Sequence, residues 1–376
     1  MQPSGQNTLD VPLLTATLLL LFSGLVMVYS SSSFMAEQRY DTQYYFLTRQ
    51  AGAMLVGLGA LWFFSRIHYK TLEKFALPML LFSGLLLVAV LIPGLGVKAG
   101  GAKRWLHLPG FNFQPVEIAK LAVIIFAAKF LARQGDGIRN FMAGVLPMIF
   151  LAGLFVVLLL LQPDFGSAAT MIALMTILLF VAGTKLSYLA YAALATLPVL
   201  TALVAFSDYR RSRILAFLNP WSVRSDSGYQ IVQSFLAFGA GGWNGAGLGD
   251  GRQKLLYLPE AHTDFIFSVI GEELGLIGVV IIVALYSLLI WRGIRIAMNA
   301  PDHFGAFLAL GITSLFGIQA IVNMGVVMGM LPTKGLTLPL VSYGGSSLVC
   351  TFGGLGLAAS VSMRRRDALV GNGSEE

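Results

Sequence analysis

The sequence predicts an all-α polytopic membrane protein with about ten transmembrane helices and both termini in the cytoplasm. Three observations carry that prediction. Hydrophobic residues fill 56% of the 376 positions and charged residues only 11%, against about 25% charged in an ordinary soluble domain. The apolar residues gather into ten runs, each near the ~20 residues that cross a bilayer as a helix. Lys and Arg collect in alternate connections, the pattern that orients membrane helices.

The runs lie at about 11–30, 46–65, 75–93, 115–133, 142–161, 166–183, 187–206, 265–291, 304–331 and 346–363. Continuous apolar stretches of this length satisfy their backbone in lipid as helices. The 42 glycines suit close helix–helix approach. MQPSGQNTLD, ahead of the first run, lacks a basic n-region, so that run reads as a retained span and not as a cleaved leader. With the N-terminus inside, the inner connections are RIHYKTLEK, ARQGDGIRN, GTKLS, WRGIRIAMNAPDH and the tail after Met363, and each carries Lys or Arg. An even number of spans returns the C-terminus to the same side. The chain then reads as one integral-membrane unit, 1–363, with a large extracytoplasmic loop at about 207–264 before the eighth helix. A short cytoplasmic tail, 364–376, is expected to be irregular beyond Asp367.

Composition also excludes several functions. Cys350 is the only cysteine, which rules out an intrachain disulfide and any multi-cysteine metal site. It reads as a small packing hydrophobe. The net charge of +7 resides in short loops between apolar runs, so nucleic acid is not an expected partner. The segment FGAGGWNGAGLGDGRQ has no GxGxxG register and no following GKS or GKT. It reads as a tight loop using glycine for backbone freedom, and no organic cofactor is expected.

Two outer loops depart from the charge pattern. GLGVKAGGAKRWLHLPGFNFQP is short yet holds Lys98, Lys103 and Arg104 beside Trp105 and His107. It suits either an anionic partner at the outer face or anionic lipid headgroups. The loop at 207–263 holds Arg210, Arg211, Arg213, Arg224, Arg252 and Lys254, but long loops are exempt from the orientation rule.

Four motifs contain ionisable groups in or beside apolar runs. In QPVEIAK, Pro115 suits a helix start, and Glu117 and Lys120 share a face at i, i+3. They read as an intramembrane ion pair, as part of a site, or as both, because such pairs are rarely kept for stability alone. In QPDFGSA, Asp164 suits the N-cap of the sixth span. LPTKGLTLPLVSYGGSS, with Lys334 and the polar turn Ser342–Ser347, predicts non-helical backbone at membrane depth, tolerated only where it is protein-buried or lines a cavity. In YLPEAHTDFIFSVIGEELG, Asp264 stands where a polar loop meets an apolar helix, with Glu260 and His262 just ahead. It can cap that helix or act on a substrate. Glu272 and Glu273 follow about two turns deeper, at about 80° and 180° from Asp264 on a helix. They are not expected to share its cavity, and one is expected to pair elsewhere in the bundle.

These motifs, with KRW at 103–105, together resemble the SEDS family of shape, elongation, division and sporulation proteins, in the family's order and over the membrane part to about Met363. TKGLTLPLVSYGG resembles the cell-division members more than the elongation members, whose segment tends to lack the TKG. The resemblance implies a ten-helix peptidoglycan glycosyltransferase that polymerises lipid II at the outer face of the bacterial cytoplasmic (inner) membrane, at the division septum. It puts the family's essential aspartate at Asp264 and further important positions at Trp105, Glu117, Lys120 and Lys334. It also implies polyprenyl-pyrophosphate-linked glycan as product and a class B penicillin-binding protein as transpeptidase partner, with other divisome proteins.

Glycosyl transfer needs a base for the acceptor hydroxyl and positive charge for the departing pyrophosphate, from Lys or Arg, a divalent cation (Mg or Mn), or both. Asp264 is therefore expected as general base or as metal ligand. Lys103, Arg104, Arg213 and Lys334 are candidates for pyrophosphate contact. Trp105, Glu117, Lys120, His262, Ser342 and Ser346 complete the expected substrate-contacting set. Two other classes fit the composition, a transporter that moves lipid II and a non-catalytic scaffold.

Overall fold

The computed structural model describes residues 10–99, 102–108, 111–224, 228–255, 258–333 and 335–371. Each of the ten apolar runs is a helix: α1 (Val11–Tyr40), α2 (Tyr45–Arg66), α3 (Tyr69–Leu91), α4 (Pro115–Gln134), α5 (Leu146–Leu161), α6 (Phe165–Val181), α7 (Leu186–Ala205), α10 (Ile266–Met298), α11 (His303–Val327) and α12 (Gly345–Gly371). Their starts are chemically marked. Asp10 accepts from Leu13 N at 3.0 Å, Asp164 from Ser167 N at 3.1 Å and Asp302 from Gly305 N at 2.8 Å. Pro115 opens α4, where a missing N–H costs nothing.

Six segments are long and apolar enough to cross a membrane by length and composition: α1, α3, Phe141–Leu161, α10, α11 and Gly345–Arg364. The chain is a multi-pass membrane protein. Phe150, Leu154, Val157 and Leu161 form an exposed stripe down α5, and Leu55, Val56, Trp62 and Phe63 are exposed on α2, the outer ring that lipid covers. α11 lies at the centre, packed on α4, α6, α10 and α12, and α2 runs along α12. There the helices meet backbone to backbone, since a Cβ on Gly356 would stand 2.6 Å from the Leu61 carbonyl oxygen.

The connections sort to two ends. Arg292 on α10 pairs with Asp10 at 2.5 Å, and Asp302 takes the Tyr69 hydroxyl at 2.6 Å and Lys70 at 3.1 Å. These tie together the loops expected to be inner. At the opposite end Arg104 bonds the carbonyls of Gln162 (3.4 Å) and Pro163, and Ser342 reaches Thr263.

The all-α expectation needs correction in the outer loops. Gly96–Ala99 (β1), Ala102–Leu108 (β2) and Phe111–Phe113 (β3) form an antiparallel sheet in the order β1-β2-β3, with Val97 opposite Trp105 and Leu106 opposite Phe113. The period-2 alternation of VKA and KRWLHL is too short for a window sized to membrane helices. The large loop holds α8 (Asp208–Leu218) and α9 (Tyr229–Gly241), the latter burying Ile231, Val232 and Ala237. The tail expected to be irregular past Asp367 continues α12 to Gly371. Finally, α10 breaks at Gly275 (φ 65°, ψ −163°), a backbone that favours glycine. The break separates a short outer segment from the longer run that follows.

Candidate functional site

Asp264 sits in a tight turn just ahead of α10. Thr263 N and Phe265 N both return to the Glu260 carbonyl at 3.2 Å, and Glu260 itself adopts φ 56°. The broken segment between α11 and α12 packs on this turn. Ser342 Oγ donates to the Thr263 carbonyl at 2.6 Å and accepts from Leu338 N at 2.8 Å, while Tyr343 N donates to the His262 carbonyl at 2.9 Å. Asn323 Nδ2, from α11, bridges the carbonyls of Asp264 (2.8 Å) and Leu336 (2.6 Å). Gln50, from α2, donates to the Ser342 carbonyl at 3.1 Å and accepts from Gly344 N at 3.3 Å. Non-helical backbone is thus tolerated here because side chains on spanning helices satisfy it.

The Asp264 carboxylate is left over from this arrangement. Phe265, not Asp264, is the N-cap of α10, and the cap has no side-chain bond. Among the described residues none donates a hydrogen bond to the Asp264 carboxylate oxygens or pairs with them within 4 Å. Oδ2 faces Gly335, where a Cβ would stand 2.7 Å away. The side chain keeps a partly exposed face, but burial of the rest pushes its pKa up to about 7. Glu260 and Asp164 push the same way, and the Arg213 and Arg104 guanidiniums oppose them.

Those two cations reach the site from different elements. Arg104, on β2, lies 3.9 Å from Asp164, which also caps α6 as expected. Arg213, on α8, donates to the Thr333 carbonyl at 3.0 Å, two residues from Gly335. Lys103 is exposed on β2 and Trp105 is half-buried beside it. Ser346 accepts from Gln114 N at 3.3 Å and donates to the Asn112 carbonyl at 3.2 Å, so it joins α12 to the junction of β3 and α4. Glu117 and Lys120 are buried and pair at 2.8 Å. Lys334 lies outside the described residues.

His262 packs on two aromatic rings, its centroid 4.6 Å from that of Phe46 and 5.6 Å from that of Tyr343. Burial pushes its pKa down, Glu260 opposes, and Arg39 adds to the fall. Ser342 is likewise committed to holding the turn.

Both inner glutamates serve one loop. Glu273 takes Lys254 Nζ at 2.7 Å, Ser30 Oγ at 2.7 Å and Gly249 N at 3.1 Å. Glu272 takes the N–H groups of Arg252 (2.7 Å) and Gln253 (3.3 Å). The expectation that one of them pairs elsewhere in the bundle holds for Glu273, which meets Lys254 and, on α1, Ser30. The break at Gly275 lets the glycine-rich segment dock on both, with Gly242, Gly245, Gly247 and Gly249 at positive φ.

Asn323, Gln50 and Gly335 were missed from sequence. Asn323 and Gln50 carried a usable signal, an amide inside an apolar run. Among the described residues no group of three or more His, Cys, Asp and Glu is placed to hold a metal. A cation of the Mg type, which keeps water and phosphate oxygens as ligands, needs only one or two carboxylates, and Asp264 supplies one.

The FtsW/RodA/SpoVE family model, described as cell cycle protein, matches residues 11–367. The chain belongs to this family. It is 50% identical over 359 residues to the probable peptidoglycan glycosyltransferase FtsW of Geobacter sulfurreducens, covering 96% of each chain. Among solved structures it resembles a chain of a peptidoglycan synthase complex described as coordinating polymerization and crosslinking, with TM-score 0.79, 32% identity, and 96% and 98% of the two chains covered. The Thermus thermophilus rod shape determining protein RodA matches with TM-score 0.71 and 30% identity over 96% and 97%. The bundle is thus shared with RodA, and the resemblance drawn from motifs extends over the whole fold.

Proposed function

We propose that this peptidoglycan glycosyltransferase polymerises lipid II during cell division, with Asp264 as general base. One observation carries the reading: a carboxylate poised near neutral pH, free of hydrogen bonds among the described residues, where two guanidiniums converge. Asp264 takes the proton of the acceptor sugar hydroxyl, whose oxygen attacks the donor's anomeric carbon. The bond from that carbon to the pyrophosphate breaks, the configuration inverts, and the polyprenyl pyrophosphate leaves with the electron pair. Arg104 and Arg213, with Lys103 and Lys334, stabilise the charge that develops on it. A divalent cation, Mg or Mn, held by Asp264 and the pyrophosphate, would add Lewis-acid stabilisation. Trp105 and the Glu117–Lys120 pair border the substrate path, and His262, Ser342 and Ser346 act by holding the turn and the loop in place.

The protein is read as spanning the cytoplasmic membrane ten times with both termini inside, so that Asp264 faces outward at the division septum. A class B penicillin-binding protein that crosslinks the strands, together with other divisome proteins, completes the assembly. Purified protein with labelled lipid II tests the reading. Wild type forms glycan strands and Asp264→Asn does not, by about 10²–10⁴-fold. Polymerisation by Asp264→Asn near the wild-type rate overturns the assignment, and lipid movement without strands makes the protein a transporter.

A further inference from the structure

The corner between α1 and α2 carries an aromatic path that the chemistry above does not use. It begins at the active-site turn. His262 and Tyr343 both meet Phe46, at 4.6 and 5.1 Å between centroids, and Phe46 meets Tyr45 at 5.2 Å and Tyr40 at 5.9 Å. Tyr40 stacks on Tyr45 at 3.6 Å, and the adjacent Tyr44 stacks on Tyr29 at 5.6 Å. Tyr29 opens into a cavity of about 440 Å³ lined also by Ser33, Glu37, Gln43, Leu248 and Lys254. That volume lies within the range of small-ligand sites.

A belt of tyrosines at the lipid interface does not explain the corner. The lipid-facing apolar residues of α1 are Val11, Leu18, Leu19, Phe22 and Val26, and after them exposure passes to Glu37, Gln38 and Arg39. From Asp10, where the Arg292 pair marks the inner end, a helix climbs ~30 Å by Ser30, the thickness of a hydrocarbon core, and ~45 Å by Tyr40. Tyr40 therefore stands above the lipid, yet it is 43% exposed, and Tyr44, four residues on, is 55% exposed. Between and around them Gln43 Nε2 donates to Glu37 at 3.0 Å, and the Tyr29 hydroxyl donates to Gln43 at 3.4 Å. Flat aromatic faces alternating with amide and carboxylate groups match a pyranose chain, which offers an apolar C–H face and a rim of hydroxyl and acetamido groups.

We propose that this corner is a glycan-binding shelf that holds the growing strand as it leaves Asp264, with Tyr29, Tyr40 and Tyr44 stacking its sugar rings and Glu37 and Gln43 bonding their rims. The inference rests on the polymerase reading for the identity of the strand, and its first test does not depend on activity. Asp264→Asn protein is titrated with a lipid-free oligosaccharide of alternating N-acetylglucosamine and N-acetylmuramic acid, followed by saturation-transfer NMR. Binding weakens roughly tenfold in the Tyr40→Ala/Tyr44→Ala double variant and returns in Tyr40→Phe/Tyr44→Phe, which keeps the rings. Equal binding by the Ala and parent proteins, or no binding by either, overturns the shelf. In otherwise wild-type protein, strands compared at equal lipid II consumption shorten in the Ala variant, since length is set by addition against release. An unchanged length distribution also overturns it. If wild type forms no strands at all, the polymerase reading fails, and the oligosaccharide titration still judges the shelf.

Discussion

Two acidic regions, Asp264 and the Glu272–Glu273 pair that follows it by eight and nine residues, divide the work of this molecule. At Glu272 and Glu273 the carboxylate oxygens are occupied: Lys254, Ser30 and the N–H of Gly249 surround one, and the N–H groups of Arg252 and Gln253 hold the other. At Asp264 the backbone carbonyl is bonded by Asn323 and the neighbouring carbonyls by Ser342 and Tyr343, while the carboxylate accepts no bond from the described residues. A fully bonded buried acid is a fixed structural part, because any new partner must displace an old one. An unpaired acid in a rigid frame has a movable proton and room for a substrate. The frame at Asp264 spends its polar groups on backbone, which fixes where the carboxylate is without quenching it.

The sharpest way to break this contrast is to remove one charge from each region. Asp264→Asn is expected to lower polymerisation at least ~10²-fold with the melting temperature unchanged, measured in detergent. Glu273→Gln is expected to do the reverse. It leaves the buried Lys254 ammonium uncompensated, which costs about 3–5 kcal/mol of stability. Replacing both partners, as Glu273→Gln with Lys254→Met, is expected to recover much of that loss. If Glu273→Gln abolishes activity in a protein as stable as wild type, the two regions are not separate.

A smaller effect comes from proton affinity. The base must be ionised, so activity is expected to rise with pH to a plateau above about 7, the value to which burial raises Asp264. Glu260 disfavours ionisation of Asp264 and Arg213 favours it. Glu260→Gln should therefore move the acid limb to lower pH, and Arg213→Ala should move it to higher pH. Rates from pH 5 to 9 check both directions. A limb that stays in place in both variants means that Asp264 is not the titrating group.

The spans were legible because their signal is redundant: any of some twenty apolar residues announces the same helix. The contrast between the two acidic regions was only half legible. Asp264 stood out as a charge at an apolar boundary, and the depth of Glu272 and Glu273 separated them from it. Their partners could not be read, because the dock at Glu272 and Glu273 depends on the break at Gly275 and on a loop that returns from sequence positions 242–255. Helical angles counted from Asp264 did not apply, since the helix starts after it at Ile266. α8 and α9 hid for a related reason, being shorter than a span, and the sheet of β1–β3 has a period that a helix window averages away. Asn323 and Gln50 were visible as amides in apolar runs, but their partners are backbone carbonyls and amides far along the chain.

The finest test applies one methyl group to each region. A Cβ on Gly335 would stand 2.7 Å from Asp264 Oδ2, and one on Gly251 would stand 2.9 Å from Glu272 Oε2 and 3.0 Å from Glu273. Neither glycine has a positive φ, so alanine fits both backbones and the insult is steric alone. At Gly335 no bond from a described residue holds the carboxylate, which can swing by a few tenths of an ångström. Stability should change by less than ~1 kcal/mol, and polymerisation should fall roughly threefold, because catalysis is more sensitive to position than folding is. At Gly251 the carboxylates cannot swing without stretching bonds to Arg252, Gln253 and Lys254. Overpacking there should cost about 1–3 kcal/mol, with the rate per folded molecule retained. Thermal melts and polymerisation rates of the two variants, side by side, decide it. The same methyl group then reads out as lost rate where the acid is free and as lost stability where it is bound.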